Sequence, residues 1–239
     1  MQILKATKVK KNFGGLTAVD RVDFDVEQGE IVGLIGPNGA GKTTFFNLIS
    51  GALPIDSGTV IFNGARISGR KPHQICRLGI GRTFQQAKNF PGMSVRENAM
   101  MGALFGKKGQ SNRQAEREVD DILEFVGLGG QGGRHVPDLP LAGQKRVEVA
   151  RALATKPTLL MLDETMAGLN PTEVEEAMDL VKKVRESGIT VIMIEHVMRA
   201  IMTICDRIVV LHHGAKIASG KPDEIATNSA VIEVYLGKT

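Results

Sequence analysis

Between Gly36 and Thr43 the chain reads Gly36-Pro37-Asn38-Gly39-Ala40-Gly41-Lys42-Thr43, which fills the pattern GxxxxGK[ST]. These residue types suit the grip of a phosphate chain. Glycines let the backbone curl until successive N–H groups point at phosphate oxygens, and a helix starting there adds the positive end of its dipole. Lys42 would reach the β and γ phosphates of a nucleoside triphosphate, and the Thr43 hydroxyl would ligate Mg²⁺. Such a site also needs a carboxylate near the metal and a group that orients water. The run Leu159-Leu160-Met161-Leu162-Asp163-Glu164 ends in both. Asp163 would hold the metal through water, and Glu164 would serve as general base on the attacking water. One solvated acid at a strand end is common; an adjacent pair after four apolar positions suits a site better.

These groups need a frame. The apolar runs at 30–36, 158–163, 189–195 and 207–212 are short and read as strands buried on both faces. Between the second and third lies a helical pattern from Pro171 to Ser187, with proline at its start and Gly188 just past its end. A further apolar helix should run from Thr44 to Ser50. Strands alternating with helices imply a parallel α/β sheet, whose ligands gather at the carboxyl ends of the strands. The opening differs: segments 3–10, 18–26 and 57–64 alternate apolar and polar residues without helices between them, as antiparallel strands do. In the middle, Ala115, Val119, Ile122, Leu123 and Val126 share one helical face, which suggests a helical insert. It ends in Gly-Leu-Gly-Gly-Gln-Gly-Gly from 127 to 133, expected to be a flexible connection.

The 239 residues are 42% hydrophobic and 23% charged, a globular composition rather than a disordered or fibrous one. No run reaches the ~18 apolar residues of a spanning helix, and the start lacks a signal-peptide core, so the chain is not expected to cross a bilayer by itself. Cys76 and Cys205 lie far apart and fit no metal or disulfide framework, as expected in a reducing cytoplasm. The net charge of +4 hides an asymmetry: residues 66 to 117 hold eleven Lys or Arg against two Glu. A basic stretch of this kind could face phosphates, nucleic acid or an anionic membrane, or simply be a solvated helical face.

The segment Leu139 to Leu153, LPLAGQKRVEVARAL, resembles the signature segment of ABC ATPases, usually written LSGGQ and followed by a run ending in ARAL. Around it the other motifs fall in family order over essentially the whole chain. The resemblance implies that Phe13 stacks on adenine and that Gly36, Pro37, Asn38, Gly39, Ala40, Gly41, Lys42, Thr43 and Thr44 bind ATP. Gln85 would link the catalytic core to a helical subdomain and join Thr43 and Asp163 around Mg²⁺. Gly168, Leu169 and Asn170 sit at the D-loop, and His196 falls at the switch histidine. Leu139, Pro140, Leu141, Ala142 and Gly143 would face the ATP of a partner subunit. Here the sequence departs from the family: Pro140 stands in place of the signature serine and brings neither hydroxyl nor N–H.

The implied fold is an α/β P-loop NTPase core, a mostly parallel sheet with flanking helices, plus an antiparallel β-subdomain and a helical subdomain. The core and β-subdomain would cover about 1–85 and 156–239, and the helical subdomain about 86–155. The implied mechanism is a pair of ATPase subunits that closes over two ATP molecules and reopens on hydrolysis, the partner being identical or a paralogue. With one P-loop and no spanning segment, the chain would work with transmembrane permease subunits and, indirectly, a substrate-binding protein. Its place would be the cytoplasmic face of the inner membrane of a bacterial or archaeal cell. Segments 13–20, 82–85, 166–173 and 219–237 look like the ATP-binding subunits of branched-chain amino-acid importers. Lipopolysaccharide-export ATPases share the tail, and importers of urea, amides or aromatic acids stay open. A soluble ABC ATPase acting on nucleic acid is the rival reading, but the single cassette and lack of coiled coils speak against it, and no nucleic-acid partner is expected.

Overall fold

The computed structural model describes residues 1–84, 89–106 and 112–236. Gln85 therefore lies outside the described residues. The chain begins with two long strands, β1 (Gln2–Phe13) and β2 (Leu16–Glu27), followed by β3 (Ile31–Ile35) and α1 (Lys42–Ile49). Next come β4 (Ser57–Phe62), β5 (Ala65–Arg66), α2 (Pro72–Leu78) and β6 (Ile80–Arg82). Three helices follow, α3 (Val95–Phe105), α4 (Asn112–Phe125) and α5 (Leu141–Ala154). The remainder alternates: β7 (Leu159–Asp163), α6 (Pro171–Glu186), β8 (Thr190–Ile194), α7 (Met198–Ile204), β9 (Arg207–His212) and β10 (Ala215–Gly220). Two short helices close it, α8 (Pro222–Ala226) and α9 (Ser229–Leu236).

The antiparallel strands form their own four-stranded sheet in the order β2-β1-β4-β5. The second sheet has six strands in the order β10-β9-β3-β8-β7-β6 and is parallel except for β10 at one edge. Each residue of β3, β7 and β8 is buried, as their unbroken apolar runs predict. Alternation along these strands feeds two cores. Val32, Leu34, Leu159, Met161, Ile192 and Ile194 pack with Phe45, Phe46 and the antiparallel sheet, so α1 lies between the two sheets. Ile31, Ile35, Leu160, Leu162, Val191 and Met193 pack on the other side with α3, α4, α5, α6 and α7. This layering follows from the period of two along a strand covered on both faces.

The helical insert exists as α3, α4 and α5, with Ala115, Val119, Leu123 and Val126 buried and Ile122 packed beside them. The glycine-rich segment departs from the expected flexible connection. Its backbone closes a turn through Gln131 N–H to Leu128 O at 3.1 Å, and Arg96 N–H donating to Gly132 O at 3.0 Å pins it to the start of α3. The basic stretch is not one surface either: Arg82 is buried and ion-paired, Arg96 pairs with Asp120, while Arg66, Arg70, Lys71 and Arg77 are exposed. Cys205 is buried, which pushes its thiol far above the ordinary range, and Cys76 is half-buried. Among the described residues no helix is long and apolar enough to cross a membrane.

Candidate functional site

Strand β3 runs into the glycine-rich loop, and α1 starts directly after Gly41. Two glycines there have no substitute. Gly36 has φ 150° and a Cβ on it would sit 2.1 Å from Leu211 O, while Gly41 has φ 98° and its Cβ would meet Ala18 O at 2.3 Å. Backbone approaches this close leave no room for a side chain. Inside the loop, buried Lys42 donates from Nζ to Gly36 O at 2.7 Å and to Pro37 O at 3.0 Å. The ammonium thus rests on the loop's own carbonyls. Burial lowers its pKa, opposed by the nearby Glu164 and Asp163 carboxylates.

The loop borders an open cavity of about 470 Å³, lined among others by Phe13, Asn38, Gly39, Lys42, Thr43 and Glu164. Gly41, Ala40 and Thr44 line it as well. Phe13 is 47% exposed at the end of β1, a flat apolar face on the rim where a purine could stack. Gly36 and Pro37 stand behind this wall as the acceptors of Lys42.

Asp163 closes β7 and is fully buried. Its Oδ2 accepts from Arg82 Nη2 at 2.9 Å, and its backbone N–H donates to Thr83 Oγ1 at 3.0 Å. Arg82 also donates to Asn47 Oδ1 at 2.7 Å and Ser50 Oγ at 2.9 Å, tying β6 and β7 to α1. Burial pushes the Asp163 carboxyl above its ordinary range, and Arg82 pulls it back. Among the described residues Asp163 Oδ1 is buried without a hydrogen-bond partner. An unclaimed carboxylate oxygen together with the Thr43 hydroxyl offers hard oxygen donors, the kind Mg²⁺ takes in small number beside phosphates. The residues present fit that ion.

Glu164 follows with φ 53°, in the left-handed region, and its Oε1 lies 2.9 Å from His196 Nε2. The pair is fixed by the neighbouring ends of β7 and β8, because Glu164 N–H donates to Ile194 O at 2.8 Å. The segment Gly168-Leu169-Asn170 leads into α6, where Asn170 caps the helix by accepting from Glu173 N–H at 3.0 Å.

Pro140 is the N-cap of α5, with an extended backbone and no side-chain cap bond. Leu139 and Gly143 are buried, Ala142 is half-buried, and Leu141 is 43% exposed. None of these five residues lines the cavity that holds Lys42 and Glu164. The structure therefore brings together Phe13, the loop, Asp163, Glu164 and His196, and leaves the segment 139–143 apart from them.

Several residues near the site carried no functional signal of their own in the sequence. Arg82 and Thr83 stand only in segment 82–85 of the family resemblance, and His213, in the turn between β9 and β10, lines the cavity. Lys145 donates from Nζ to Glu164 O at 3.0 Å, and Glu195 accepts from Met166 N–H at 2.8 Å. A buried acid ending an apolar strand was the one available hint for Glu195.

A mostly parallel sheet with a glycine-rich phosphate loop ahead of α1, a buried Asp ending a strand one removed from the loop's own and an acid beside it defines a P-loop nucleoside triphosphatase. Within that class the chain belongs to the ABC transporter family, whose pattern matches residues 19–167. Residues 215–239 match a second family, described as the branched-chain amino acid ATP-binding cassette transporter. The chain is 40% identical to the high-affinity branched-chain amino acid transport ATP-binding protein BraF of Pseudomonas aeruginosa, covering 99% of this chain and 98% of that protein. It is 39% identical to LivG of Escherichia coli, which bears the same description, over 99% and 98% of the two chains. Its fold matches a crystallised ATP-binding cassette of an ABC transporter in its ADP conformation, with a TM-score of 0.91, 32% identity and full coverage of both chains. The chain is thus an ATP-binding subunit that hydrolyses ATP to drive an ABC transporter.

Proposed function

We propose that this chain powers the uptake of branched-chain or closely related amino acids, working as one of a pair of ATPase subunits attached to membrane permeases. Support for the substrate class comes from BraF and LivG, related over nearly their full lengths, and from the family matched by the tail. Residues of about 86–155 form the helical subdomain in this reading, and the remainder forms the core with its β-subdomain. The working place is the cytoplasmic face of the membrane.

One observation carries the hydrolytic part: Glu164, paired with His196 at 2.9 Å, lines the same cavity as Lys42 and Thr43. Phe13 stacks on the base, the backbone N–H groups of the loop 36–44, Pro37 excepted, hold the phosphates, and Lys42 swings from its carbonyl contacts onto the β and γ oxygens. Thr43 and Asp163, joined by Gln85, would hold Mg²⁺, which would supply charge neutralisation on the phosphate oxygens. Glu164 accepts a proton from the attacking water, and His196 keeps the carboxylate aimed. The new bond forms between water oxygen and γ-phosphorus as the bond to the bridging oxygen breaks, so ADP and phosphate leave. Residues 139–143 of the other subunit complete the site, with Gly168, Leu169 and Asn170 beside that joint. Pro140 leaves this contribution to backbone amides and the helix dipole, a weakened half-site.

The test is Glu164→Gln in the full chain. ATP binding should persist while turnover falls by about two to four orders of magnitude; undiminished hydrolysis would remove Glu164 from the role. Uptake of radiolabelled leucine by cells carrying this variant should stop, and unchanged uptake would reject the proposed substrate class or the subunit's part in it.

A further inference from the structure

The residue that must aim at water has an awkward backbone. Glu164 has φ 53°, and for a residue with a side chain the left-handed region costs about 1 to 3 kcal/mol unless the surroundings hold it. Two side chains from distant parts of the sequence hold it. From α5, Lys145 Nζ donates to the Glu164 carbonyl oxygen at 3.0 Å. From the end of β8, Glu195 Oε1 accepts from Thr165 Oγ1 at 3.2 Å and from Met166 N–H at 2.8 Å. Glu195 is 2% exposed, and among the described residues its Oε2 has no hydrogen-bond partner. A carboxylate kept in a buried place for two bonds to one loop has a local purpose, because burial without full pairing is costly.

We propose that Lys145 and Glu195 are positioning residues: together they clasp the turn 164–166 and so set the aim of the Glu164 carboxylate. This inference rests on the reading of Glu164 as the base. Its consequence lies in where the two halves of the clasp come from. Glu195 directly follows β8 and precedes His196, so one strand end fixes both the side chain and the turn of Glu164. Lys145 sits one helical turn beyond Leu141, on the helix that begins with the segment meant for the partner's nucleotide. A displacement of α5 therefore pulls on the Glu164 carbonyl of the same chain. Burial also raises the Glu195 pKa, against hydrogen bonding from Met166, Thr165 and the His196 backbone and the Lys145 cation.

The test uses the full chain assembled with its membrane subunits and compares Glu195→Ala, Glu195→Gln, Lys145→Met and Lys145→Arg, with Glu164→Gln as reference. The glutamine keeps an oxygen for Thr165 and Met166, and the arginine keeps a donor. Glu195→Ala should lower kcat by about 10- to 100-fold and Lys145→Met by about tenfold, the scale of a misplaced catalytic group. ATP KM and direct ATP affinity should stay within about threefold in both, and the two conservative variants should recover most of kcat. Hydrogen exchange at the Met166 amide should speed up in Glu195→Ala and not in Glu195→Gln. Unchanged kcat in Glu195→Ala and Lys145→Met would overturn the proposal. So would equal losses of kcat and ATP affinity, or a glutamine variant as impaired as the alanine one. If Glu195→Ala does not fold, the Lys145 pair decides alone. Should Glu164→Gln itself hydrolyse ATP normally, the reading of the base has failed, not the clasp.

Discussion

Helices α1 and α5 are the two that the proposed mechanism turns toward phosphate, and they begin differently. Helix α1 follows Gly41 in a left-handed turn, with a buried lysine in its first turn and paired acids near by. Helix α5 follows Pro140 in extended backbone, with an exposed Leu141 and no side-chain cap. The first start brings curled amides, a cation and Glu164 to one cavity, with Asp163 buried near by, and the second would bring amides and a dipole alone. In the proposed pairing, one chain would bring the loop, the cation and the acids of a site, and the other would add only backbone amides and a helix start.

The contrast can be broken in steps of decreasing size. Glu164→Gln strikes the complete half and should cost about two to four orders of magnitude in turnover, with steady-state ATPase assays as the measurement. Arg82→Ala strikes its foundation, because it strands the buried Asp163 carboxylate. A loss of about 3 to 5 kcal/mol is expected for removing one partner of a buried pair, visible as a fall of about ten degrees in Tm. Pro140→Ser strikes the supplement. Restoring a hydroxyl and an N–H should raise turnover of the assembled complex by about tenfold, since one charge-assisted hydrogen bond is worth about 1.5 to 3 kcal/mol. Equal turnover before and after would mean that the proline costs this half nothing. Phe13→Ala should be mildest, raising ATP KM by about fivefold through lost stacking while kcat holds.

Legibility in the sequence followed the range of the interactions. Strands β3, β7 and β8 announced themselves because burial on both faces leaves almost only apolar residues, and the loop 36–43 because its motif lies in eight consecutive residues. Helix α6 was marked by its own boundary chemistry at Pro171 and Gly188. Arg82 was opaque because its partners, Asn47 and Asp163, are 35 and 81 residues away. Strand β6, three residues with a glycine in the middle, has no period to detect. Lys145 and Glu195 escaped for the same reason as Arg82: nothing local tells a surface lysine or a strand-end acid that it will meet the turn after Asp163. The segment 127–133 misled in the other direction, since its glycines suggested slack and its backbone bonds to the start of α3 supply order.

The measurement closest to the centre of this account is the mass and structure of the Glu164→Gln chain in magnesium and ATP. The account predicts twice the monomer mass, with each nucleotide held between the 36–44 loop of one subunit and residues 139–143 of the other. A particle that stays monomeric while binding ATP, or a pair whose nucleotides touch no residue of the 139–143 segment, would contradict it.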